Sequence, residues 1–331
     1  MKHVLVIPGD GIGPEVILPT VEIISHIASS VEFEMANAGK EEFLRTGVSI
    51  SEDLVERARK ADAVFFGATT SVRDDMYRSP ILTLRKELDL FANVRIAKNV
   101  ANPARKIDIA IIRENTEGLY SGKEERDELG VTTLRRVSVS ACERITRFAF
   151  DWCRKNARRT LLCAHKANVL RLSDGLFLDV FNAEAARNPG LITCDALIDS
   201  VATRMVMAPE EFDTIVTLNL YGDILSDLAA GLIGGLGFMP SANIGSENAL
   251  FEPAHGSAPD ISGKGIANPI AALLSGVMML DFLGLRKEAD ILSSAVEKTV
   301  SKSKELFDRN GRCDTLRIIK TIERNLSSEP E

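Results

Sequence analysis

Apolar positions fall into two rhythms along the chain. Dense runs of β-branched and aliphatic residues at His3–Ile7, Ala61–Gly67, Ile107–Arg113, Thr160–His165 and Thr214–Leu218 predict strands. Longer stretches between them repeat near 3.6 residues and predict helices. The clearest is Ala141–Asn156, where Cys142, Ile145, Ala149 and Trp152 form one stripe while Glu143, Arg144 and Arg147 face away. Strands alternating with helices predict an α/β layered fold with a largely parallel sheet. No internal repeat, low-complexity tract or Ser/Pro/Gly linker divides the chain, so two domains would require it to cross between them more than once. Gly118–Ser140 breaks the rhythm: it is polar, charged at Lys123–Glu128, and alternates from Val131 to Ser140. It predicts a protruding hairpin with one weakly apolar face, which cannot form a core alone. Pairing with a second subunit would satisfy its edges; a solvated surface hairpin fits the pattern as well.

Composition narrows the classes. The chain has 331 residues, 45% hydrophobic and 26% charged, enough for two domains or one large one and for a core that needs no staples. Lys+Arg number 40 against 47 Asp+Glu, a net charge of −7, which argues against a nucleic-acid partner. The longest apolar stretch, Pro269–Leu280, is broken by Ser275 and Gly276 and falls short of the ~20 residues of a membrane span. The opening MKHVLVIPGDG carries no cleavage signature, so secretion is not expected. Five cysteines, Cys142, Cys153, Cys163, Cys194 and Cys313, never stand as C-x-x-C, which fits neither a disulfide framework nor a zinc finger. The expectation is a cytoplasmic enzyme from a reducing compartment.

Five motifs carry candidate chemistry. Gly9-Asp-Gly-Ile-Gly13-Pro-Glu follows a strand and opens a helix, but Pro14 stands where a dinucleotide fingerprint needs glycine. It reads as a tight turn whose Pro14 suits a first helical turn. Arg85, Arg95 and Arg113 would suit a small polycarboxylate if they converged, because a guanidinium binds a carboxylate through two parallel hydrogen bonds. Taken singly, each also reads as a solvated or structural ion pair. Asp223 and Asp227 stand four residues apart, with Asp199 elsewhere; hard cations prefer such oxygens, and acids in a first helical turn also complement the helix dipole. The loop from Phe251 through Asp260 to Asn268 is rich in small residues around His255, which lets backbone N–H groups approach a phosphate or an adenine. Asp260 there suits an unphosphorylated ribose. Lys166 leaves an apolar strand, where desolvation can make a lysine a general base; a strand-end lysine that simply reaches solvent is the plain alternative.

The order of these motifs resembles the β-decarboxylating dehydrogenases, that is, isocitrate, homoisocitrate, 3-isopropylmalate and tartrate dehydrogenases. The likeness runs almost end to end: GDGIGPE, LRKELDLFANVR, RENTEGLY, HKANV, NLYGDILSD, EPAHGSAPD and GKGIANP. It implies the two-domain isocitrate/isopropylmalate dehydrogenase-like fold with a non-Rossmann NAD site. One domain would span about 1–90 plus 234–331, the other 91–233 with an arm about 118–140. By the same resemblance Tyr120 and Lys166 are the acid and base, and Ser79, Arg85, Arg95, Arg113 and Asp199 meet a malate-type substrate. Asp199, Asp223 and Asp227 would bind Mg2+ or Mn2+. Glu252, His255, Gly256, Ser257, Ala258, Asp260 and Asn268 would hold NAD. The resemblance further implies a homodimer or dimer of dimers, in which Lys166 and Asp199 reach in from the neighbouring chain.

Two features depart from the family. Ile96 replaces the usual proline after the second arginine, and a Thr-Pro-Asp-Leu-Gly-Gly stretch is not recognisable around Asn310–Asp314. For the substrate, Arg78 and Ser79 suit a third carboxylate, while Ile81 and Leu82 suit an alkyl group. Homoisocitrate or isocitrate is favoured, with 3-isopropylmalate the alternative. A non-catalytic regulatory subunit of the same fold would be expected to lose catalytic residues, and Tyr120, Lys166 and the three aspartates are all present.

Overall fold

The structure is a computed structural model that describes residues 1–100, 106–302, 306–308 and 311–327; Asn310 lies outside the described residues. The chain folds into two compact units. One holds the described residues of Met1–Leu90, Asn99–Ala104 and Ile233–Glu331, the other those of Phe91–Lys98 and Arg105–Leu232.

The first unit begins with β1 (Lys2–Gly9), α1 (Gly13–Ile27), β2 (Val31–Met35), α2 (Lys40–Thr46), α3 (Glu52–Lys60), β3 (Ala63–Ala68) and α4 (Pro80–Glu87). Parallel pairing joins β2 to β1 and β1 to β3. The predicted strand at Ala61–Gly67 starts two residues late, because Ala61 ends α3 as its cap and the Asp62 carboxylate accepts the N–H of His3 at 2.8 Å. The core there gathers Leu5, Ile7, Leu54, Ala58, Val64, Phe66 and Leu84. Pro14 does sit in the first turn of α1.

The second unit contributes β4 (Ala92–Lys98), β5 (Asp108–Glu114), β6 (Glu124–Arg126), β7 (Val131–Thr133), α5 (Val139–Lys155), β8 (Thr160–His165), α6 (Ser173–Arg187), β9 (Ile192–Leu197), α7 (Ile198–Met207), β10 (Thr214–Thr217) and α8 (Asn219–Ile233). β4 runs antiparallel to β5, while β5, β10, β8 and β9 follow in parallel. The stripe of α5 differs at its end. Phe150 and Cys153 are buried with Cys142, Ile145 and Ala149, whereas Trp152 is half-buried under Arg158. Arg144, expected to face away, lies over Phe91 with its guanidinium carbon 4.8 Å from the ring centroid. The hairpin over 118–140 exists as β6 and β7, antiparallel and exposed along both strands.

The chain returns to the first unit with β11 (Pro240–Ile244), β12 (Ala249–Pro253), α9 (Ile270–Phe282), α10 (Arg286–Lys302) and α11 (Thr315–Ser327). β12 pairs in parallel with β3 and antiparallel with β11. Ile270–Leu280 lies within α9, with Pro269 as its N-cap, and no helix among the described residues is long and apolar enough to cross a membrane.

Candidate active site

Register places the arginines of the second unit. In the antiparallel pair, Asn93 lies opposite Arg113, and Arg95 follows Asn93 by two residues. Side chains alternate along a strand, so Asn93, Arg95 and Arg113 project from one face. Both guanidinium groups are buried, Arg113 to 1% exposure, which is tolerable only when their N–H groups are bonded. Arg95 donates to Asn93 Oδ1 at 3.0 Å and to Ser226 Oγ at 2.8 Å. It also lies 3.4 Å from Asp223 and 3.3 Å from Asp227. Arg113 donates to Asn219 Oδ1 through Nε and Nη2, at 3.2 and 2.8 Å, and through Nη1 to Asp223.

All these acceptors except Asn93 come from one face of α8. Asp223 and Asp227 sit in its second and third turns rather than its first, so they do not complement its N-terminal dipole; they face the arginines. Gly222 makes the approach possible, because a Cβ there would stand 2.6 Å from Cβ and Cγ of Arg113. The Tyr120 hydroxyl donates to Asp223 Oδ2 at 2.6 Å, and its ring lies 4.7 Å from the Arg113 guanidinium carbon. Burial first, then the Asp223 carboxylate, pushes the Tyr120 phenol up. Burial also raises the Asp227 carboxyl, against the pull of Arg95.

Lys166 emerges just beyond β8, and its Nζ meets Asp199 Oδ1 at 2.6 Å, in the first turn of α7. That hydrogen bond holds the exposed Asp199 carboxyl below its ordinary range. Among the described residues no three His, Cys, Asp or Glu side chains stand where they could hold a metal. Asp223 and Asp227, a turn apart with partly exposed oxygens, suit two positions around a hard cation and leave the rest to other donors.

In the first unit, Arg85 of α4 donates through Nη2 to Glu252 Oε1 at 2.9 Å, and Asn243 donates to the same oxygen at 2.7 Å. The Glu252 carboxylate, expected to face the cofactor, is thus held by the protein itself. Arg85 Nε is buried without a partner. The Ser79 hydroxyl, expected at the substrate, accepts the Leu82 N–H at 3.5 Å as the N-cap of α4.

The turn after β1 and the loop 252–268 are built together. The N–H of Ile12 donates to the Ser257 carbonyl at 2.9 Å, and Thr70 donates to the Ser257 hydroxyl at 2.8 Å. Gly11 has φ +60°, and a Cβ there would collide with the Ser257 carbonyl oxygen. Asp10 braces the turn by accepting the N–H groups of Lys40 and Thr70, each at 2.8 Å. His255 Nδ1 lies 3.0 Å from the Gly256 carbonyl, which assigns that nitrogen the proton, while Nε2 is buried and unpartnered. Asn268 Nδ2 is likewise buried and unpartnered. Gly256 is exposed, Ala258 carries φ +37°, and Asp260 is exposed 3.8 Å from Arg312. An acceptor and a donor left open in one loop of small residues fit the ring and ribose groups of a nucleotide.

The chain belongs to the isocitrate/isopropylmalate dehydrogenase family, whose profile matches residues 3–322. It is 46% identical over 333 residues to a homoisocitrate dehydrogenase of Methanocaldococcus jannaschii, covering 95% of each chain. A 3-isopropylmalate/3-methylmalate dehydrogenase of the same organism is 43% identical over 337 residues, covering 99% of this chain and 100% of that one. The crystal structure of isocitrate dehydrogenase from Methylococcus capsulatus superposes with a TM-score of 0.93 at 37% identity, over 99% of this chain and 100% of the other.

Sequence reasoning missed Asn93, Ser226, Asn219 and Gly222, which hold or admit the arginines. Asn219, Gly222 and Ser226 carried a signal, since they share a helical face with Asp223. Asn93 carried none beyond its place two residues from Arg95.

Proposed function

We propose that this chain catalyses the NAD-dependent oxidative decarboxylation of a 3-substituted malate of the homoisocitrate or isocitrate type. The observation that carries this reading is the buried Arg95–Arg113 pair with Asp223, Asp227 and Tyr120 gathered on it. Guanidinium groups fixed at their stems and aimed at carboxylates suit the acid groups of a malate. Arg85, with its unpartnered Nε, suits the same task. Bound NAD and Mg2+ or Mn2+ would supply the hydride acceptor and draw off negative charge as CO2 leaves. Asp223 and Asp227 would hold the cation together with Asp199 of the partner subunit, and His255 and Asn268 would meet the nucleotide. Lys166 takes the proton of the C2 hydroxyl, directly or through a relay, and Tyr120 returns a proton to the carbon that has lost CO2. The Lys166–Asp199 ion pair, whose carboxylate is exposed, supports a homodimer in which these two residues complete the neighbouring site.

The substituent reading rests on the segment before α4. Arg78 is exposed with no ion pair among the described residues, whereas Ile81 is drawn against the core. A free cation favours a third carboxylate over an alkyl group. The test is NADH absorbance with Mn2+ and, in turn, isocitrate, homoisocitrate, 3-isopropylmalate, malate and tartrate. The highest kcat/KM is expected with homoisocitrate or isocitrate, and EDTA should abolish turnover until Mg2+ or Mn2+ is restored. A preference for 3-isopropylmalate overturns the substituent reading; no turnover with any substrate points to a regulatory subunit.

A further inference from the structure

Asp174, the second residue of α6, has a side chain with no solvent exposure. A carboxylate persists in such a place only when its charge and lone pairs are met. Its Oδ2 accepts the backbone N–H of Lys166 at 2.7 Å, and its Oδ1 accepts Nη1 of Arg135 at 2.7 Å. The Ser173 hydroxyl approaches Oδ1 at 3.4 Å. Arg135 precedes Arg136, which bridges back to Gly118 at the base of the hairpin, and the Arg135 guanidinium carbon lies 5.2 Å from the ring centroid of Tyr221, on α8.

Two further backbone groups beside Lys166 are held as well. Ala167 donates its N–H to His165 Nδ1 at 3.0 Å, so His165 Nε2 carries the proton toward Asp195, also at 3.0 Å. Val169 and Leu170 donate to the Lys166 carbonyl at 3.0 and 2.9 Å. A backbone N–H needs no charged acceptor, and a buried ion pair is often no more stabilising than apolar residues of like volume. What the pair adds here is one fixed geometry for the residue whose Nζ meets Asp199.

We propose that Asp174 is the positioning residue for Lys166, and that Arg135 ties that position to the base of the hairpin and to α8. The proposal rests on the reading of Lys166 as the base.

The test compares the wild-type enzyme with Arg135→Met/Asp174→Leu, which removes both charges together and leaves no buried ion unpaired. The melting temperature and assembled mass should stay near wild type, KM should stay within about twofold, and kcat should fall roughly 10–100-fold. Labelling of Lys166 by an amine reagent, read by mass spectrometry, should speed up as its backbone is released. If the double variant does not fold, the isosteric Asp174→Asn carries the same readouts in the same directions. Unchanged kcat with unchanged labelling overturns the proposal, as does a kcat loss that merely follows the melting temperature. Lys166→Ala separates the two readings. If it retains turnover, Lys166 is not the base, while the labelling rate still reports whether Asp174 holds it.

Discussion

Asp260 puts a carboxylate on an exposed loop position, and the tertiary structure adds a cation that the local sequence does not show. Its neighbour Ile261 offers no partner for a phosphate, but Arg312 lies 3.8 Å away. In the wild type Asp260 should accept the ribose hydroxyls and repel a 2′-phosphate, so kcat/KM should be higher with NAD+ than with NADP+. Asp260→Ala should cut that preference by about tenfold, the worth of one charge-assisted hydrogen bond, because Arg312 is then free to meet the phosphate. An unchanged ratio would place this loop away from the ribose. His255 yields a prediction in pH. Burial holds its imidazole below the ordinary 6.5, so below that pH the unfolded chain binds a proton that the folded chain refuses. Stability therefore falls as pH drops below about 6.5. His255→Gln should flatten that part of the profile, measured as melting temperature between about pH 5 and 7. At this scale the residue types were legible in the sequence and their partners were not: nothing near Arg85 announces Glu252.

Element by element, α8 shows what a period can and cannot say. The spacing of Asp223 and Asp227 predicts a shared face, and they share one. Which turn they occupy depended on where the helix begins, at Asn219, and its far neighbour depended on strand register. Gly222 is the sensitive point of that packing. Gly222→Ala would bring a methyl to 2.6 Å from the root of the Arg113 side chain, which cannot swing aside as a side-chain tip can. A displacement of about 1 Å at α8 or Arg113 should cost on the order of 100-fold in kcat/KM. An ordinary alanine effect on a helix would instead be mildly stabilising. Steady-state kinetics beside a melting curve separates the two. The strands at 3–7 and 160–165 were legible because their buried stretches, Val4–Ile7 and Leu161–Ala164, are unbroken apolar runs, as in strands covered on both faces. β2 and β9 were not, because their exposed residues blur the run into its surroundings.

For the whole molecule the decisive experiment is mixing. If Lys166 and Asp199 complete the site of a partner subunit, Lys166→Ala and Tyr120→Phe chains are each inactive alone. In a mixed dimer both lesions fall in one shared site, and the other receives intact Tyr120 and Lys166. Activity should return after subunit exchange, toward about half that of a normal dimer in each heterodimer. Persistent inactivity despite proven exchange would assign both residues to one chain.

The α/β class and the family were legible in the chain before folding, because periodicity is a short-range property and the motifs are contiguous. The sequence also named the residue types that carry the chemistry. That Glu252 braces Arg85 and that Lys166 pairs with Asp199 is settled by the tertiary structure alone. Such pairings join residues far apart in the chain. Strand register and helix start position select them, and the demand that every buried charge find a partner enforces them.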